Sequence, residues 1–307
     1  MRVGITGSTG MIGTALAARL VAAGHEVAPL TRTSAPKPQA QGWNPAAGWI
    51  APGMFEGCDA VVHLAGASIG EGRWTKARKR VLWDSRIDGT RLLVDHLGTL
   101  ARPPRVLVSS SASGYYGNRG DLVLSEDAGA GEGFLPDLVQ AWEGEARHAE
   151  QHGIRVVTPR LGVVLAREGG ALPRMVLPVR LGAGGPLGNG RQWMPWVTLT
   201  DAVRAFEFAL THEVSGAYNV AAPEASRNRD FMRALGRQLR RPSFFPTPAF
   251  LLRIVIGEAA DGLLLASARM DPARFVQAGF TYEHPSLAEA LQAVFSGEQE
   301  AFLRRTA

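Results

Sequence analysis

Short runs of β-branched and aliphatic residues alternate with segments of helical periodicity along the first half of the chain. The apolar runs predict buried strands, and the spacing of Ile12, Leu16 and Leu20 predicts a first helix that stops at Gly24. Strands that alternate with helices form crossover units and a mostly parallel sheet covered on both faces. The predicted strands are 2–5, 26–30, 60–64, 105–109 and 154–158, and later helices are predicted at 73–83, 86–100 and 136–151.

The texture of the sequence changes after the last of these strands. A glycine-rich segment at 182–190 predicts a loop that is either mobile or faces a ligand. A helix starting near Asp201 precedes a further strand at 217–220 and a mainly helical tail. We therefore predict an α/β protein with a doubly wound parallel Rossmann sheet in residues 1–165, to which the strand at 217–220 returns. A smaller C-terminal cap in residues 166–307 would contribute the substrate contacts.

Composition excludes several classes of protein. The chain has 307 residues, of which 46% are hydrophobic and 20% charged, which excludes a disordered chain, a collagen and a coiled coil. Cys58 is the only cysteine, so this chain alone forms neither a disulfide framework nor a thiolate metal site, and a reducing cytoplasm is the expected location. Glycines interrupt the apolar N-terminus, so it does not fit a signal peptide. Charged residues interrupt the apolar stretch at 250–266, so it does not fit a membrane span.

The chain is basic, with 33 Lys and Arg against 28 Asp and Glu. Its densest basic stretch, at 73–80, is interpreted as a solvated helix face rather than a nucleic-acid patch, because no run of five like charges occurs. We expect a small-molecule substrate as the partner, and neither nucleic acid nor membrane.

A glycine-rich loop directly follows the first strand and opens the first helix, which is the context of a dinucleotide-binding loop. Its glycines permit a tight turn and let the backbone approach a pyrophosphate, which then lies at the helix N-terminus. The residues assigned to the cofactor here are Gly7, Ser8, Thr9, Gly10, Met11, Ile12 and Gly13.

The end of the second strand distinguishes between the two nicotinamide cofactors. A carboxylate there binds the ribose 2′-hydroxyl of NAD, whereas an arginine accommodates the 2′-phosphate of NADP. This chain has Thr31 and Arg32 at that point and no carboxylate nearby, which favours NADP(H). His63, flanked by Val62 and Leu64 on a buried strand, is interpreted as a packed core histidine.

Several motifs together resemble the NAD-dependent epimerase/dehydratase superfamily. They are the glycine loop, His63-Leu-Ala-Gly-Ala67, the run from Arg73 to Arg91, and Ser109-Ser-Ser-Ala-Ser-Gly-Tyr-Tyr-Gly117. More narrowly, the chain resembles the "epimerase family protein" branch of atypical short-chain dehydrogenases/reductases, whose C-terminal segment is a domain of unknown function. The resemblance covers essentially the whole chain. It implies further cofactor contacts from Leu64, Ala65, Gly66, Arg86, Ser109 and Arg160. Related proteins often form homodimers through two long helices, here 86–100 and 136–151.

The resemblance also implies a catalytic Ser or Thr, a Tyr that exchanges a proton with the substrate, and a Lys four residues after that Tyr. Ser111 matches the serine, with Ser110 and Ser113 as alternatives, and Tyr116 or Tyr115 is the candidate proton donor. The Tyr-x-x-x-Lys pair is absent, because every tyrosine follows the last lysine, Lys79. Alignment by the Trp142-Glu143 dipeptide puts Leu135 and Val139 at the two positions.

Three functions remain open. The first is an NADP-dependent oxidoreductase, since a tyrosine with a pKa near 10 is an adequate acid for carbonyl reduction. The second is a sugar-nucleotide epimerase or dehydratase, which the missing base disfavours. The third is a protein that senses NADPH without turnover. The substrate pocket is expected at the carboxyl ends of the strands. Its predicted walls are Tyr115, Tyr116, Arg160, Trp193, Trp196 and the loop 182–190, whereas Asp201 is interpreted as a helix cap.

Overall fold

The computed structural model describes residues 1–33 and 42–297 and is built on a parallel sheet. Six strands, each longer than three residues, lie in the order β2-β1-β3-β4-β5-β6. Their interior positions carry Val, Ile, Leu and Ala, as expected for strands covered on both faces. The strands are β1 (Arg2–Thr6), β2 (Glu26–Leu30), β3 (Ala60–His63), β4 (Val106–Ser109), β5 (Arg155–Leu161) and β6 (Gly216–Val220). The doubly wound fold class and the return of the strand near 217–220 are confirmed.

The helices cover both faces of this sheet and build the C-terminal region. In chain order they are α1 (Met11–Ala22), α2 (Lys76–Gly98), α3 (Phe134–Arg147), α4 (Leu172–Arg180), α5 (Leu199–Thr211), α6 (Asn228–Leu239), α7 (Ala249–Ile256), α8 (Ala273–Gln277) and α9 (Leu287–Ser296). Short 3₁₀ turns occur at Pro45–Ala47, Ser113–Tyr116 and His148–His152, and a π-helical turn at Asp261–Leu265. Two-stranded pairs join Trp43–Asn44 to Trp49–Ile50, Val163–Leu165 to Trp196–Thr198, and Val123–Leu124 to Arg269–Met270, while Ser111–Ala112 pairs with β5.

Two of the predicted helices, 73–83 and 86–100, are wrong as separate elements, because α2 is one continuous helix. The polar pair between them stays inside the helix because both side chains are satisfied there. Asp84 accepts a hydrogen bond from Arg80, and the Ser85 hydroxyl donates to the Leu82 carbonyl oxygen. Asp201 is also not itself the N-cap of α5, since Thr198 holds that position and bonds the Asp201 amide.

The two faces of the sheet pack against different helices. Val62 and Val108 point towards the layer of α1 and α5, whereas Val61 and Leu107 pack with the apolar residues of α2. Successive residues of a strand point to opposite faces, so this division follows directly from the alternation along β3 and β4. A third cluster, around Trp196, joins α4, α6 and α9.

The strand order places a ligand crevice at a definite point. From β1 the chain proceeds to β2 on one side and then returns to β3 on the other side of β1. Open parallel sheets bind ligands outside the carboxyl ends of the strands where the order reverses in this way. The crevice therefore lies above Thr6 and His63, the last residues of β1 and β3.

Candidate functional site

The loop after β1 has the shape that a dinucleotide requires. Gly7 has a φ of +70°, and a Cβ atom on it would lie 2.8 Å from the carbonyl carbon of Leu64. A Cβ on Gly13 would lie 2.2 Å from the Gly7 carbonyl oxygen. Gly10 precedes α1, whose first amide groups have no partner inside the helix. Only glycine fits at Gly7 and Gly13, and the loop leaves the N-terminus of α1 open to a phosphate group.

The segment after β3 forms the opposite wall of the crevice. The Thr6 hydroxyl accepts hydrogen bonds from the amides of Leu64, at 3.2 Å, and Ala65, at 3.3 Å. A Cβ on Gly66 would lie 3.3 Å from Cζ of Arg86, so this guanidinium lies against the backbone there. These bonds fix the strand end close to the glycine loop.

Arg86 is a partly buried cation, and within the described residues it forms no ion pair. Its guanidinium donates to the carbonyl oxygen of Ala67 at 3.1 Å. Burial, together with the positive charge of Arg78, lowers the pKa of Arg86 to about 10. A cation held in this way at the edge of the crevice is suited to bind an anionic group.

Thr31 and Arg32 lie exposed just beyond β2. The backbone around them is held by Trp43, whose amide donates to the Thr31 carbonyl oxygen at 3.1 Å and whose carbonyl oxygen accepts from Thr33 at 3.0 Å. The Arg32 side chain therefore extends from a fixed point at the carboxyl edge of the sheet. Its position suits a phosphate on the adenosine ribose of a cofactor.

The described residues fit a nicotinamide dinucleotide on two independent observations. The first is the cradle that a Cβ atom on Gly7 or Gly13 would fill. The second is the hydroxyl of Ser109, which is buried at the carboxyl end of β4 and has no hydrogen-bond partner within the described part of the chain. A buried hydroxyl without a partner costs free energy, so its position at a ligand crevice is explained by a polar group of the ligand.

His63 is a core residue, as predicted. It is fully buried, with Nδ1 2.6 Å from the Thr6 hydroxyl and Nε2 3.0 Å from the Thr90 hydroxyl. Burial, with a smaller contribution from the charge of Arg86, lowers the pKa of His63 to about 3. The imidazole is therefore neutral at physiological pH and serves to join β1, β3 and α2.

Ser111 lies in a buried network centred on Glu143 of α3. Its hydroxyl donates to Oε1 of Glu143 at 2.5 Å. Arg160 of β5 binds both oxygens of the same carboxylate, with Nε at 2.8 Å from Oε1 and Nη2 at 2.9 Å from Oε2. Burial acts to lower the pKa of Arg160, but the hydrogen bonds and charge of Glu143 raise it above its usual value. The two-point ion pair thus fixes the carboxylate that orients Ser111.

The two adjacent tyrosines have different surroundings. Tyr116 is fully buried, and its hydroxyl donates to Oδ1 of Asn219 at 2.7 Å and accepts from Nη1 of Arg160 at 2.9 Å. Burial raises the pKa of Tyr116 to about 12, although Arg160 and Asn219 act in the opposite direction. Tyr115 is partly exposed, and the centroid of its ring lies 3.5 Å from Cζ of Arg160. Within the described residues the Tyr115 hydroxyl makes no hydrogen bond.

Leu135 and Val139 form an apolar wall beside this network. Both are buried in α3, and a Cβ on Gly114 would lie 3.5 Å from Cδ1 of Leu135 and 3.6 Å from Cγ2 of Val139. Gly114 belongs to the turn that carries Tyr115 and Tyr116. The two side chains aligned with the absent Tyr and Lys therefore pack against the turn that carries both candidate tyrosines, and neither can transfer a proton.

The other predicted pocket residues separate into core and surface. Trp196 is buried in the cluster of α4, α6 and α9. Trp193 is partly exposed at a small cavity, its indole nitrogen donates to Asp121 at 2.7 Å, and Arg227 and Arg269 lie 4.4 and 4.6 Å from its ring centroid. Trp193 thus belongs to a polar surface cluster, and within the described residues it makes no hydrogen bond or ring contact with Ser111.

Sequence reasoning missed Glu143 as a member of the site, although it used the residue to align α3. The available signal was Arg160, a charged residue in the interior of a predominantly buried strand. A buried arginine requires a carboxylate, and the only uncertainty was which one. Sequence spacing does not reveal that pairing, because 17 residues separate the two partners.

The glycine loop, the parallel sheet and the crevice define a Rossmann-type NAD(P)-binding protein of the short-chain dehydrogenase/reductase class. The sequence profile of the NAD dependent epimerase/dehydratase family matches residues 3–221. A second profile, that of a domain of unknown function (DUF1731), matches residues 247–294. The chain therefore belongs to the NAD-dependent epimerase/dehydratase family.

Similar proteins span the whole chain. An epimerase family protein of Mycobacterium leprae is 41% identical over 290 residues, covering 94% of both chains. The human epimerase family protein SDR39U1, solved with NADPH, is 35% identical with a TM-score of 0.86, covering 96% of this chain and 99% of that one. A structure named as a nucleoside-diphosphate sugar epimerase from Corynebacterium glutamicum is 30% identical with a TM-score of 0.78, covering 100% of this chain and 64% of that one.

Proposed function

We propose that the protein is an NADP(H)-dependent oxidoreductase that interconverts a carbonyl and a hydroxyl group on a small substrate. The observation that carries the cofactor choice is the exposed Arg32 at the end of β2, where no carboxylate takes its place. The human relative solved with NADPH supports the same choice. Bound NADPH supplies the hydride, so the protein has to position the substrate and handle one proton.

Positioning of the substrate oxygen is assigned to Ser111. Glu143, held by Arg160, accepts a hydrogen bond from the Ser111 hydroxyl at 2.5 Å, so the Ser111 oxygen presents its lone pairs to the substrate. Such an oxygen accepts a hydrogen bond from a substrate hydroxyl. In this arrangement Glu143 and Arg160 fix the direction of the bond and do not themselves contact substrate.

Proton transfer is assigned to Tyr115 rather than to Tyr116. Tyr115 is partly exposed, so solvent can return a proton to it, whereas the Tyr116 hydroxyl is committed to Asn219 and Arg160. During reduction Tyr115 gives its proton to the substrate oxygen, and the hydroxyl so formed donates to Ser111. The guanidinium of Arg160 lies over the Tyr115 ring, 3.5 Å from its centroid, and holds the ring in place.

A screen of aldehydes, ketones and quinones, following NADPH absorbance, tests this proposal. On any active substrate we expect Ser111→Ala and Tyr115→Phe each to lower kcat/KM by about 100-fold or more. Ser113→Ala, a serine in the adjoining turn, is the matched control and should change kcat/KM by less than threefold. Turnover that survives Tyr115→Phe but not Tyr116→Phe would overturn the assignment between the two tyrosines.

The second candidate is a protein that binds NADPH as a signal without turnover. The apolar wall of Leu135 and Val139 specifically favours it, because neither residue can transfer a proton. The same wall counts against sugar-nucleotide epimerisation, which needs a base. If NADPH binds with submillimolar affinity but no compound in the screen is reduced, the sensing function is favoured over the oxidoreductase.

A further inference from the structure

Most of the large apolar side chains exposed in the described residues belong to one region. Thirteen such side chains are exposed, and eight of them occur in three segments, 177–181, 244–245 and 250–255. We call these eight residues the apolar surface, which consists of Leu177, Leu181, Phe244, Phe245, Phe250, Leu251, Ile254 and Val255. Scattered apolar residues are normal on a protein surface, but a concentration of this kind marks a binding surface.

The helix α7 contributes four of the eight and has no buried residue. Its inner face consists of residues 249, 252 and 256, which are half-buried, whereas Phe250, Leu251, Ile254 and Val255 face outwards. A helix on the surface of a globular protein normally carries polar residues on its outer face. Four of the five exposed residues of α7 are instead apolar, the fifth being Arg253, and no element covers these four within the described residues.

The three segments lie side by side. The segment after α4 runs along the segment before α7, with a hydrogen bond from the Phe245 amide to the Gly184 carbonyl oxygen at 3.2 Å. At their other ends, α4 and α7 both reach the loop after β3. Arg174 near the start of α4 donates to the Gly70 carbonyl oxygen, and Gly257 after α7 lies against Arg73. Helices α4 and α7 are thus anchored to the same two parts of the chain.

The sequence that carries the apolar surface is basic, although the exposed Glu258 and Asp261 follow α7 and pair with Lys79 and Arg253. Residues 172–191 and 236–257, which include all three segments, contain seven arginines and no Asp or Glu, whereas the rest of the chain has two more acidic than basic residues. Arg180, Arg237 and Arg241 are exposed and make no ion pair in the described part of the chain. An apolar helix face bordered by arginines has the chemistry of a surface that lies in the interface of an anionic bilayer.

We propose that the apolar surface docks the protein onto an anionic membrane surface. Its outer apolar side chains enter the boundary between headgroups and acyl chains, and the bordering arginines bind lipid phosphates. A second copy of the chain is the weaker occupant, because two such surfaces would bring like charges together. Within the described residues no helix is long and apolar enough to cross a membrane, so the contact is peripheral. This proposal replaces the expectation that the protein has no membrane partner.

Co-sedimentation with vesicles tests the proposal. We expect the NADPH-loaded protein to partition onto phosphatidylcholine vesicles containing about a third phosphatidylglycerol at least tenfold more strongly than onto pure phosphatidylcholine. The double variant Ile254→Asp/Val255→Asp and, separately, Arg180→Glu/Arg237→Glu should each lower that partitioning about tenfold or more. The matched controls Val21→Asp and Arg147→Glu, exposed on α1 and α3, should leave it unchanged.

Two outcomes would overturn the proposal. One is partitioning that is absent, or that is unaffected by both test variants. The other is a dimer in light scattering that Ile254→Asp/Val255→Asp converts to a monomer, which would assign the surface to a second copy of the chain. The arginine pair lies on exposed helical positions, so Arg180→Glu/Arg237→Glu gives a decision even if the apolar double variant fails to fold.

Discussion

Replacing Glu143 by glutamine measures how much the buried network contributes to stability. The side chains of Glu143 and Arg160 are only 6% and 4% exposed, and the carboxylate is bound at two points by Arg160 and at one by Ser111. Glu143→Gln keeps the shape but leaves the Arg160 cation buried without a counter-charge. Breaking a buried pair in this way costs about 3–5 kcal/mol.

The matched control is Glu145→Gln, two residues along the same helix. Glu145 pairs with Arg91, a side chain that is 51% exposed, and a pair of this kind contributes about 0–1 kcal/mol. The assay is urea unfolding followed by circular dichroism, with the free energy of unfolding taken from each transition. We expect Glu143→Gln to lose at least about 2 kcal/mol more than Glu145→Gln.

A double variant, Glu143→Met/Arg160→Met, completes the test. Replacing both members of a buried ion pair by apolar residues is often close to neutral. The double variant should therefore be more stable than Glu143→Met alone or Arg160→Met alone. Equal losses of unfolding free energy in Glu143→Gln and Glu145→Gln would show that burial does not make this pair strong. A double variant whose loss equals the sum of the losses of Glu143→Met and Arg160→Met would show the same.

Two further predictions concern the crevice and the strand ends. Gly13→Ala places a Cβ 2.2 Å from the Gly7 carbonyl oxygen, so NADPH affinity measured by tryptophan fluorescence should fall by about 100-fold. The control Gly144→Ala, in open space on α3, should leave that affinity unchanged. Equal affinities of the two variants would contradict the role of Gly13 in the loop. His63 has a pKa near 3 in the folded protein and 6.5 when unfolded, so the unfolded state takes up the proton first as pH falls. The free energy of unfolding should therefore decrease by about 2 kcal/mol between pH 7.5 and pH 5. His63→Gln should remove this pH dependence, and an unchanged pH dependence in that variant would show that His63 is not its source.

The sequence was sufficient for the sheet and the glycine loop, because local signals specify both. Aliphatic runs such as Val106–Ser109 indicate buried strands. The spacing of Gly7 and Gly13 indicates the turn into α1, although the backbone that excludes a Cβ from Gly7 is that of distant Leu64. The strand 26–30 was predicted with its observed bounds. Local patterns also showed that Tyr-x-x-x-Lys is absent.

The features that the sequence did not show depend on contacts between distant parts of the chain. Glu143 meets Ser111 and Arg160 only because α3 packs against β5, and Tyr116 differs from its neighbour through its burial and its bonds to Asn219 and Arg160. The sequence shows an apolar stretch after Pro248, but not that its side chains point outwards, because that depends on which elements pack against α7. Tertiary packing determines both kinds of feature, so periodicity alone cannot reveal them.

A comparison of NADPH and NADH binding tests whether Arg32 makes the protein prefer NADP(H). The two cofactors differ only in the 2′-phosphate, so quenching of tryptophan fluorescence by each isolates the contribution of the end of β2. We expect NADPH to bind at least tenfold more tightly than NADH, and Arg32→Ala to weaken NADPH binding to the level of NADH without changing NADH binding itself. Equal affinity of the unaltered protein for both cofactors would contradict this expectation, as would an NADPH preference that survives Arg32→Ala.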